Sequence, residues 1–219
     1  MLPPRRYSSK LPTSLAYSVK EIFKTLHGEG AQAGRAAVFC RFAGCNLWSG
    51  REEDRTTAAC TFCDTDFVGV DGTGGGRFAN AEMLAQAITE EWGGSRENRY
   101  VVLTGGEPLL QVDALHRYGF EIGVETNGTQ AAPEGMDWLC VSPKANNDLV
   151  LRSGNELKLV FPQLDAPPER FEGLEFEHFF LQPMDCAEAE QCLEQTINYC
   201  IENPRWRLSL QSHKIVGIR

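Results

Sequence analysis

Three cysteines have a spacing that suits a metal or cluster site. Cys60 and Cys63 are separated by two residues in the segment CTFC, so their thiolates can face one ion or cluster. Cys45 precedes this pair, with 14 residues in between, and follows the loop glycine of RFAGC. Three thiolates would leave the fourth iron of a 4Fe-4S cluster without a protein ligand. That iron could then bind the amine and carboxylate of a small molecule directly.

A structural zinc site is the alternative, because Cys40, Cys45, Cys60 and Cys63 could supply four thiolates. Cys40 lies inside the apolar segment AAVFCRF, where a small buried side chain is ordinary. The long gap after Cys45 does not exclude a shared site. Lengthening the loop between the first two cysteines from about three residues to 14 costs roughly 1.4 kcal/mol of chain entropy. Thiolate–metal sites can contribute ~10 kcal/mol or more, so this cost is small. Thiol spacing alone leaves zinc and an open cluster as two alternatives.

Composition favours a small-molecule substrate over nucleic acid or membrane partners. The chain has 219 residues, 42% of them hydrophobic, and a formal net charge of -9. Non-specific nucleic-acid binding depends on clustered Lys and Arg, which this charge disfavours. No apolar run approaches the ~20 residues of a membrane span, and the basic start has no apolar core of a signal peptide. We therefore expect a cytoplasmic protein without nucleic-acid or membrane partners.

The elements that must position the cysteines read as alternating strands and helices. Strands are predicted at YSVKEIF and AAVFCRF, which are rich in β-branched and aromatic residues. A helix is predicted in FANAEMLAQAITEEWGG, where apolar residues recur at helical spacing before Gly93, and further helices at 109–118 and 187–201. Short apolar runs that each end in a polar cluster follow: YVVLTGGEP, FEIGVETNG, WLCVSPK, ELKLVFP, FFLQPMD and LSLQSHK.

This order of elements predicts an α/β fold with a parallel sheet. Parallel strands buried on both faces give continuous apolar runs, and in α/β barrels the chemistry lies where the strands end. The chain is short for a complete barrel of ~250 residues, and several gaps after Glu125 are too brief for a full helix. We expect an incomplete, partly open parallel β/α (TIM-like) barrel with about six core strands and few helices. Residues 15–219 should form a single domain after a flexible N-terminal tail, 1–14.

Two motifs give the cysteines a family resemblance. CTFC resembles the cysteine-x-aromatic-cysteine end of the radical S-adenosylmethionine motif, with Phe62 in the aromatic place. TGGEP, about 40 residues later, resembles the motif that holds the cofactor's amino group. The wide gap after Cys45 departs from the usual short spacing of that superfamily. LHGEG, RFAGCN, CTFCDT, TGGEP, ETNG, SPK, QPMD and SHK together are similar to 7-carboxy-7-deazaguanine synthases, some of which carry an expanded loop; the match covers nearly the whole chain after Leu15.

The resemblance implies a radical carbon–nitrogen lyase. That family converts 6-carboxy-5,6,7,8-tetrahydropterin to 7-carboxy-7-deazaguanine with loss of ammonia, on the route to queuosine and other deazapurines. It implies a 4Fe-4S cluster on Cys45, Cys60 and Cys63, S-adenosylmethionine as the radical source, and Mg2+ that assists ring contraction. It also implies a homodimer and an electron donor such as a flavodoxin.

The resemblance also assigns residues to magnesium and to the substrate. Thr65 is the expected Mg2+ ligand, with substrate oxygens and water completing the shell, and Asp64 and Asp66 are second choices. The carboxylate of Glu29 suits the guanidine-like edge of a pterin, and Arg41 could pair with the substrate carboxylate. The full substrate set is Leu26, His27, Gly28, Glu29, Arg41, Thr104, His213 and Arg219, the last through its terminal carboxylate.

A third set of residues is expected to bind S-adenosylmethionine. Gly106 allows close backbone approach, Glu107 can accept a hydrogen bond from the ammonium group, and Glu125 should meet the ribose hydroxyls. The cofactor set is Phe62, Gly106, Glu107, Glu125, Ser142, Pro143, Lys144, Gln182, Pro183, Met184 and Asp185. Without the family resemblance, most of these cofactor residues would be interpreted as ordinary turn and loop residues. Their assignment therefore depends on the resemblance.

Two other protein classes compete with the lyase. An activase that makes a glycyl radical on a protein partner would need a docking surface and usually has the short cysteine spacing, and neither is evident. A non-catalytic zinc-binding or electron-transfer protein would leave TGGEP unexplained. The sequence therefore favours the lyase.

Overall fold

Nine strands form one sheet in the computed structural model, which describes residues 16–112, 118–145 and 147–219. They are β1 (Tyr17–Leu26), β2 (Ala36–Phe42), β3 (Gly76–Phe78), β4 (Tyr100–Gly105), β5 (Glu121–Thr126), β6 (Trp138–Val141), β7 (Ser153–Phe161), β8 (Glu175–Pro183) and β9 (Trp206–Leu208). Their order across the sheet is β3-β1-β2-β4-β5-β6-β7-β8-β9. The tail predicted at 1–14 lies outside the described residues, as do residues 113–117 of the helix predicted at 109–118.

Most of the sheet is parallel. β2 pairs with β4, and β4 to β9 then pair in chain order, all in the parallel sense. β1 pairs antiparallel with both β2 and β3. Because β3 and β9 are the two edges of the sheet, the barrel is open. The predicted incomplete TIM-like barrel is confirmed, with β2 and β4 to β9 in its parallel part.

Three α-helices accompany the sheet: α1 (Ala81–Trp92), α2 (Ala189–Glu202) and α3 (Ser212–Val216). Short 3-10 turns lie at Gly30–Gln32, Glu52–Thr57, Pro108–Leu110 and Pro168–Phe171. Within the described residues, no α-helix lies between β5 and β8, which agrees with the brief gaps after Glu125 and with the prediction of few helices. None of the described helices has both the length and the apolar character that a membrane crossing requires.

The last strand lies earlier in the chain than its sequence pattern predicts. The pattern in LSLQSHK places a short apolar run at 208–210 before the polar cluster, whereas β9 spans Trp206–Leu208 and SHK begins α3. The Ser212 N–H and hydroxyl both donate to the Gly28 carbonyl at 2.9 Å. These bonds direct the chain away from the sheet and onto the loop after β1, so the C-terminal segment reaches the carboxyl ends of the strands.

Alternation along the strands separates the apolar core from the interior of the partial barrel. In β7, Leu157 and Leu159 are fully buried in an apolar cluster that also contains side chains of β8 and α2. Glu156 and Lys158 alternate with them and so point to the other face. A second cluster packs α1 against β1, β2, β4 and β5. The face opposite these cores is available for polar groups.

Candidate functional site

A cavity of about 380 Å³ lies at the carboxyl ends of the parallel strands. Residues at or just after the ends of β1, β2, β4, β5, β6 and β8 line it, together with the cysteine loop and the C-terminal segment. Every predicted site residue lines this cavity apart from Glu107 and Pro143. The fold therefore brings together groups that are widely separated in the sequence.

The three predicted cluster cysteines line the cavity together. Burial raises the pKa of the Cys45 and Cys60 thiols, and the charge of a nearby Cys63 thiolate raises both further. These mutual effects require the three sulfurs to lie near one another. A bound cluster would displace the thiol protons, because thiolates are the ligands of iron. Three sulfur donors that face one cavity fit a cluster with one iron left open.

Cys40 lies apart from this group. It is fully buried in β2, and burial raises its thiol pKa, as expected for a core residue. Within the described part of the chain, no three His, Cys, Asp or Glu side chains converge on a single-ion site. The cysteines of a 4Fe-4S cluster bind different irons, so their sulfurs lie farther apart than the ligands of one ion.

The segment between Cys45 and Cys60 is folded against the cysteine pair. The Cys60 N–H donates to the Leu47 carbonyl at 3.2 Å, and the Trp48 side chain is buried. The Arg55 guanidinium lies 4.0 Å from the Trp48 ring centroid. One nitrogen of Arg55 donates to the carbonyls of Thr61, at 3.0 Å, and Cys63, at 3.1 Å. The loop therefore holds the CTFC turn as well as spanning the gap.

The glycines of TGGEP pack against the turn that carries Cys45. A Cβ at Gly106 would lie 2.0 Å from the Gly44 carbonyl oxygen and 3.1 Å from the Cys45 Cβ. Gly105 has φ +132°, and a Cβ there would lie 2.3 Å from the Phe42 carbonyl oxygen. Only glycine fits this close approach of two backbones. The sequence attributed the close approach at Gly106 to the cofactor, whereas within the protein it is made by the backbone before Cys45.

Glu107 is buried beneath this turn. Its carboxylate accepts hydrogen bonds from Leu109 N–H at 3.0 Å, Thr126 Oγ1 at 2.7 Å and Asn127 N–H at 2.8 Å. Burial raises its pKa, and these hydrogen bonds oppose the rise. The carboxylate links the turn after β4 to the end of β5. Its predicted contact with an ammonium group stays a prediction.

A buried ionic network joins the loop after β1 to β5 and β7. The Lys158 ammonium lies 2.5 Å from Glu29 Oε2 and 3.0 Å from Glu125 Oε1. His27 Nε2 lies 3.5 Å from the same Glu125 oxygen, and the Thr104 hydroxyl donates to Glu125 Oε2 at 3.0 Å. Three predicted substrate residues thus meet the predicted ribose ligand in one network.

Two arginines share the carboxylate of Glu21. The Arg41 Nε donates to Glu21 Oε1 at 2.8 Å, and the Arg219 guanidinium pairs with Glu21 Oε2. The Thr25 hydroxyl donates to the main-chain oxygen of Arg219 at 2.5 Å, which holds the C-terminal residue along β1. Within the part of the chain that the structure describes, the terminal nitrogens of Arg41 have no hydrogen-bond partner, so both could bind a carboxylate ligand.

Lysines pair with the two aspartates that flank Thr65. Lys214 Nζ lies 3.0 Å from Asp64 Oδ2, and Lys20 Nζ lies 3.0 Å from Asp66 Oδ2. A magnesium ion could bind either carboxylate only by competing with an ammonium group for its oxygens. Thr65 lines the cavity between these pairs.

The SPK and QPMD loops complete the wall. Lys144 Nζ donates to Ser142 Oγ at 2.6 Å and lies 5.9 Å from the Phe62 ring centroid. Asp185 Oδ2 pairs with Lys214 at 2.5 Å, which connects the QPMD loop to α3. Gln182, Pro183 and Met184 line the same cavity, and His213 packs against Gly28.

Sequence interpretation missed several polar residues of the cavity, among them Glu21, Lys158 and Gln211. Lys158 could have been found, because it interrupts the apolar run ELKLVF, where a doubly buried strand leaves an ammonium no water. Glu21 and Gln211 carry no such signal. A polar residue in a β-strand or a loop is ordinarily solvated, and only the fold places these two inward.

An open parallel β/α barrel whose polar cavity at the carboxyl ends of the strands contains three clustered thiols defines a class of α/β enzymes. Comparisons with known proteins identify the family. The 7-carboxy-7-deazaguanine synthase of Bradyrhizobium diazoefficiens is 66% identical over 210 residues, which are 94% of this chain and 100% of the relative. That of Bordetella pertussis is 64% identical over 209 residues, or 93% and 100% of the two chains. The chain belongs to the 7-carboxy-7-deazaguanine synthase family.

A solved structure agrees with this assignment. The crystal structure of QueE from Escherichia coli matches with a TM-score of 0.68 and 27% sequence identity, covering 95% of this chain and 100% of that chain. No protein-family model matches the chain. The predicted family membership and the prediction of an enzyme are confirmed.

Replacing Gly106 tests the contact between the two turns. We expect Gly106→Ala to lower the free energy of unfolding by more than about 1 kcal/mol, because its Cβ would overlap the Gly44 carbonyl. Urea titration measures the change. Gly173→Ala is the control, since a Cβ there meets open space and the φ is not positive. Equal stability of the two variants would contradict the close approach.

Replacing Arg55 tests how the loop holds the cysteine pair. We expect Arg55→Met to accelerate alkylation of the buried Cys60 about fivefold, as expected for losing a hydrogen bond worth about 1 kcal/mol. Mass spectrometry of the metal-free, reduced protein gives the rate. Arg51→Met is the control, because its side chain is 70% exposed and contacts neither carbonyl. Unchanged alkylation in Arg55→Met would show that the loop is only a spacer.

Proposed function

We propose that the protein is a radical S-adenosylmethionine carbon–nitrogen lyase. It converts 6-carboxy-5,6,7,8-tetrahydropterin to 7-carboxy-7-deazaguanine with loss of ammonia, in queuosine and other deazapurine biosynthesis. The observation that carries the proposal is the meeting of Cys45, Cys60 and Cys63 with the Glu29, His27 and Arg41 groups around a single cavity. Family membership supports the same reaction.

Cys45, Cys60 and Cys63 would hold a 4Fe-4S cluster with one iron open to a ligand. When bound, the cluster and S-adenosylmethionine supply a 5'-deoxyadenosyl radical that takes a hydrogen atom from the pterin. The protein positions the three thiolates through the Gly44–Gly106 contact and the Arg55 hydrogen bonds. The surrounding apolar side chains, Leu47, Trp48 and Phe67, limit access of water to the thiolates.

S-adenosylmethionine would be bound by residues that line the cavity next to the cysteines. The groups with the best chemistry are the carbonyl of Gly106 for the ammonium group and the ionised Glu125 for the ribose hydroxyls. Phe62 and the loops at 142–144 and 182–185 would surround the rest of the cofactor. Glu107 would contribute mainly by holding the turn, because its oxygens already accept three hydrogen bonds.

The pterin would lie between Glu29 and the two arginines that share Glu21, which are Arg41 and Arg219. An ionised Glu29 accepts from the N–H donors of the guanidine-like edge, with the backbone of Leu26, His27 and Gly28 beside it. The free nitrogens of Arg41 suit the substrate carboxylate. Thr104, His213 and the terminal carboxylate of Arg219 complete this set.

Mg2+ would bind the Thr65 hydroxyl together with substrate oxygens and water. A hydroxyl is a weak ligand alone, so most of the affinity for the ion would come from the oxygens of the bound substrate. Asp64 and Asp66 remain second choices, since each is neutralised by a lysine.

The assembly and partners rest on the family resemblance. We propose a homodimer of single-domain chains, 15–219, reduced by an electron donor such as a flavodoxin. The continuous nine-stranded sheet supports the single domain.

Product analysis tests the function. Anaerobically reconstituted protein should hold about four irons per chain and form 7-carboxy-7-deazaguanine from 6-carboxytetrahydropterin, S-adenosylmethionine, magnesium and reductant. Cys60→Ser should abolish the product, whereas Cys200→Ser, away from the cavity, should retain it. Abundant 5'-deoxyadenosine without deazapurine would refute the substrate assignment.

A further inference from the structure

Lys158 is a cation buried in the wall of the cavity. Its side chain is 6% exposed, and its ammonium lies 2.5 Å from Glu29 Oε2 and 3.0 Å from Glu125 Oε1. Among the residues that the structure describes, it is the only lysine or arginine that pairs with either carboxylate. The loop after β1 and strand β5 therefore share one positive charge.

The other oxygens of both carboxylates are also held. Glu29 Oε1 accepts from Gln211 Nε2 at 2.9 Å and from Gln182 Nε2 at 3.3 Å. Glu125 Oε2 accepts from the Thr104 hydroxyl at 3.0 Å. These partners fix the plane of each carboxylate, but all of them are neutral. Lys158 is therefore the cation that both carboxylates share, and His27 lies beside Glu125 only.

Four further titratable groups face the network: His27, Tyr100, Cys140 and Glu156. His27 Nε2 lies 3.5 Å from Glu125 Oε1. Glu156 accepts from the Ala31 N–H at 2.9 Å and faces the Cys140 thiol at 3.5 Å. Glu156 is thus hydrogen-bonded by neutral donors, and it adds a negative charge near Lys158 without pairing with it.

Electrostatics makes the lysine essential to the ionisation of the pair. Burial raises the pKa of Glu29 and of Glu125, but the Lys158 ammonium, joined at Glu125 by His27, holds both pKa values below the ordinary value of a glutamate. The carboxylates in turn hold the pKa of Lys158 well above its ordinary value, against the effect of burial. All three groups are charged at neutral pH. Without the ammonium, two neighbouring carboxylates that are largely withdrawn from water cannot both remain ionised at low cost.

We propose that Lys158 is a positioning residue that keeps Glu29 and Glu125 ionised and oriented, so that the pterin edge and the ribose are recognised through one shared cation. The proposal rests on the proposed function, in which Glu29 binds the pterin and Glu125 the ribose. An ionised Glu29 only accepts hydrogen bonds and so selects an edge rich in N–H donors. A protonated Glu29 would present a donor to those donors.

Substrate binding tests the role of the charge. The probe is 6-carboxy-5,6,7,8-tetrahydropterin, titrated calorimetrically into the anaerobic, cluster-loaded enzyme without S-adenosylmethionine, so that it binds but does not react. Lys158→Met should weaken binding at least about tenfold, because it removes the cation that the two partly buried carboxylates share. Adding Glu125→Gln to Lys158→Met returns the network to its original net charge. Binding should recover to within about threefold of the original enzyme.

The control double variant combines Lys158→Met with Glu121→Gln. Glu121 lies at the start of the same strand but pairs with Arg35 at 2.5 Å, so its removal should not restore binding. A purely structural role for Lys158 would not be repaired by removing a second side chain. Original affinity in Lys158→Met, or no recovery on adding Glu125→Gln, would overturn the proposal.

Two outcomes separate this proposal from the proposed function. If the original enzyme does not bind the pterin, the proposed function fails. The melting temperature then tests whether Lys158 is shared by the two carboxylates. It should be lower in Lys158→Met and return to the original value when Glu125→Gln is added. If Lys158→Met alone does not fold, the Lys158→Met/Glu125→Gln variant decides the matter. It should fold and bind the pterin within about threefold of the original enzyme, and failure to do so overturns the shared cation.

Discussion

The main-chain contact between the turn after β2 and the turn after β4 is the interaction on which the site depends. The Glu107 N–H donates to the Gly44 carbonyl at 2.9 Å, and Gly106 leaves room for that backbone. Because Cys45 follows Gly44, the contact fixes the first cysteine relative to the strand ends. The buried carboxylate of Glu107 extends the constraint to β5 by accepting from the Asn127 N–H. Three strand ends are thus locked together before any ligand binds.

Around this frame, groups of opposite charge are paired at two places. Lys158 pairs with the carboxylates of Glu29 and Glu125, and Glu21 pairs with two arginines near β1. Buried ion pairs contribute little net stability, because desolvation offsets much of their attraction. Their value here lies in holding ionised groups in fixed orientations around a cavity, where a polar ligand can replace water at little reorganisation cost.

Much of this architecture could be predicted from the sequence, because local patterns carry it. The apolar runs before TGGEP, ETNG, SPK and QPMD are strands, and their polar ends line one cavity as parallel pairing requires. The Lys158 pairings and the Arg55 hydrogen bonds could not be predicted, since they depend on three-dimensional packing. The helix that begins at SHK could not be predicted either, because Ser212 is held by hydrogen bonds to Gly28, far away in the chain. The segment after Cys45 reads as a solvated linker, yet Trp48 is buried within it.

We propose that Cys45, Cys60 and Cys63 hold a cluster with one open iron beside the cavity at the strand ends. Mössbauer spectra of enzyme reconstituted with 57Fe, recorded with and without S-adenosylmethionine, test it most directly. We expect a 4Fe-4S signal in which about a quarter of the iron changes its environment when S-adenosylmethionine is added. A cluster signal that does not respond, or a chain that holds one zinc and no iron, would contradict it.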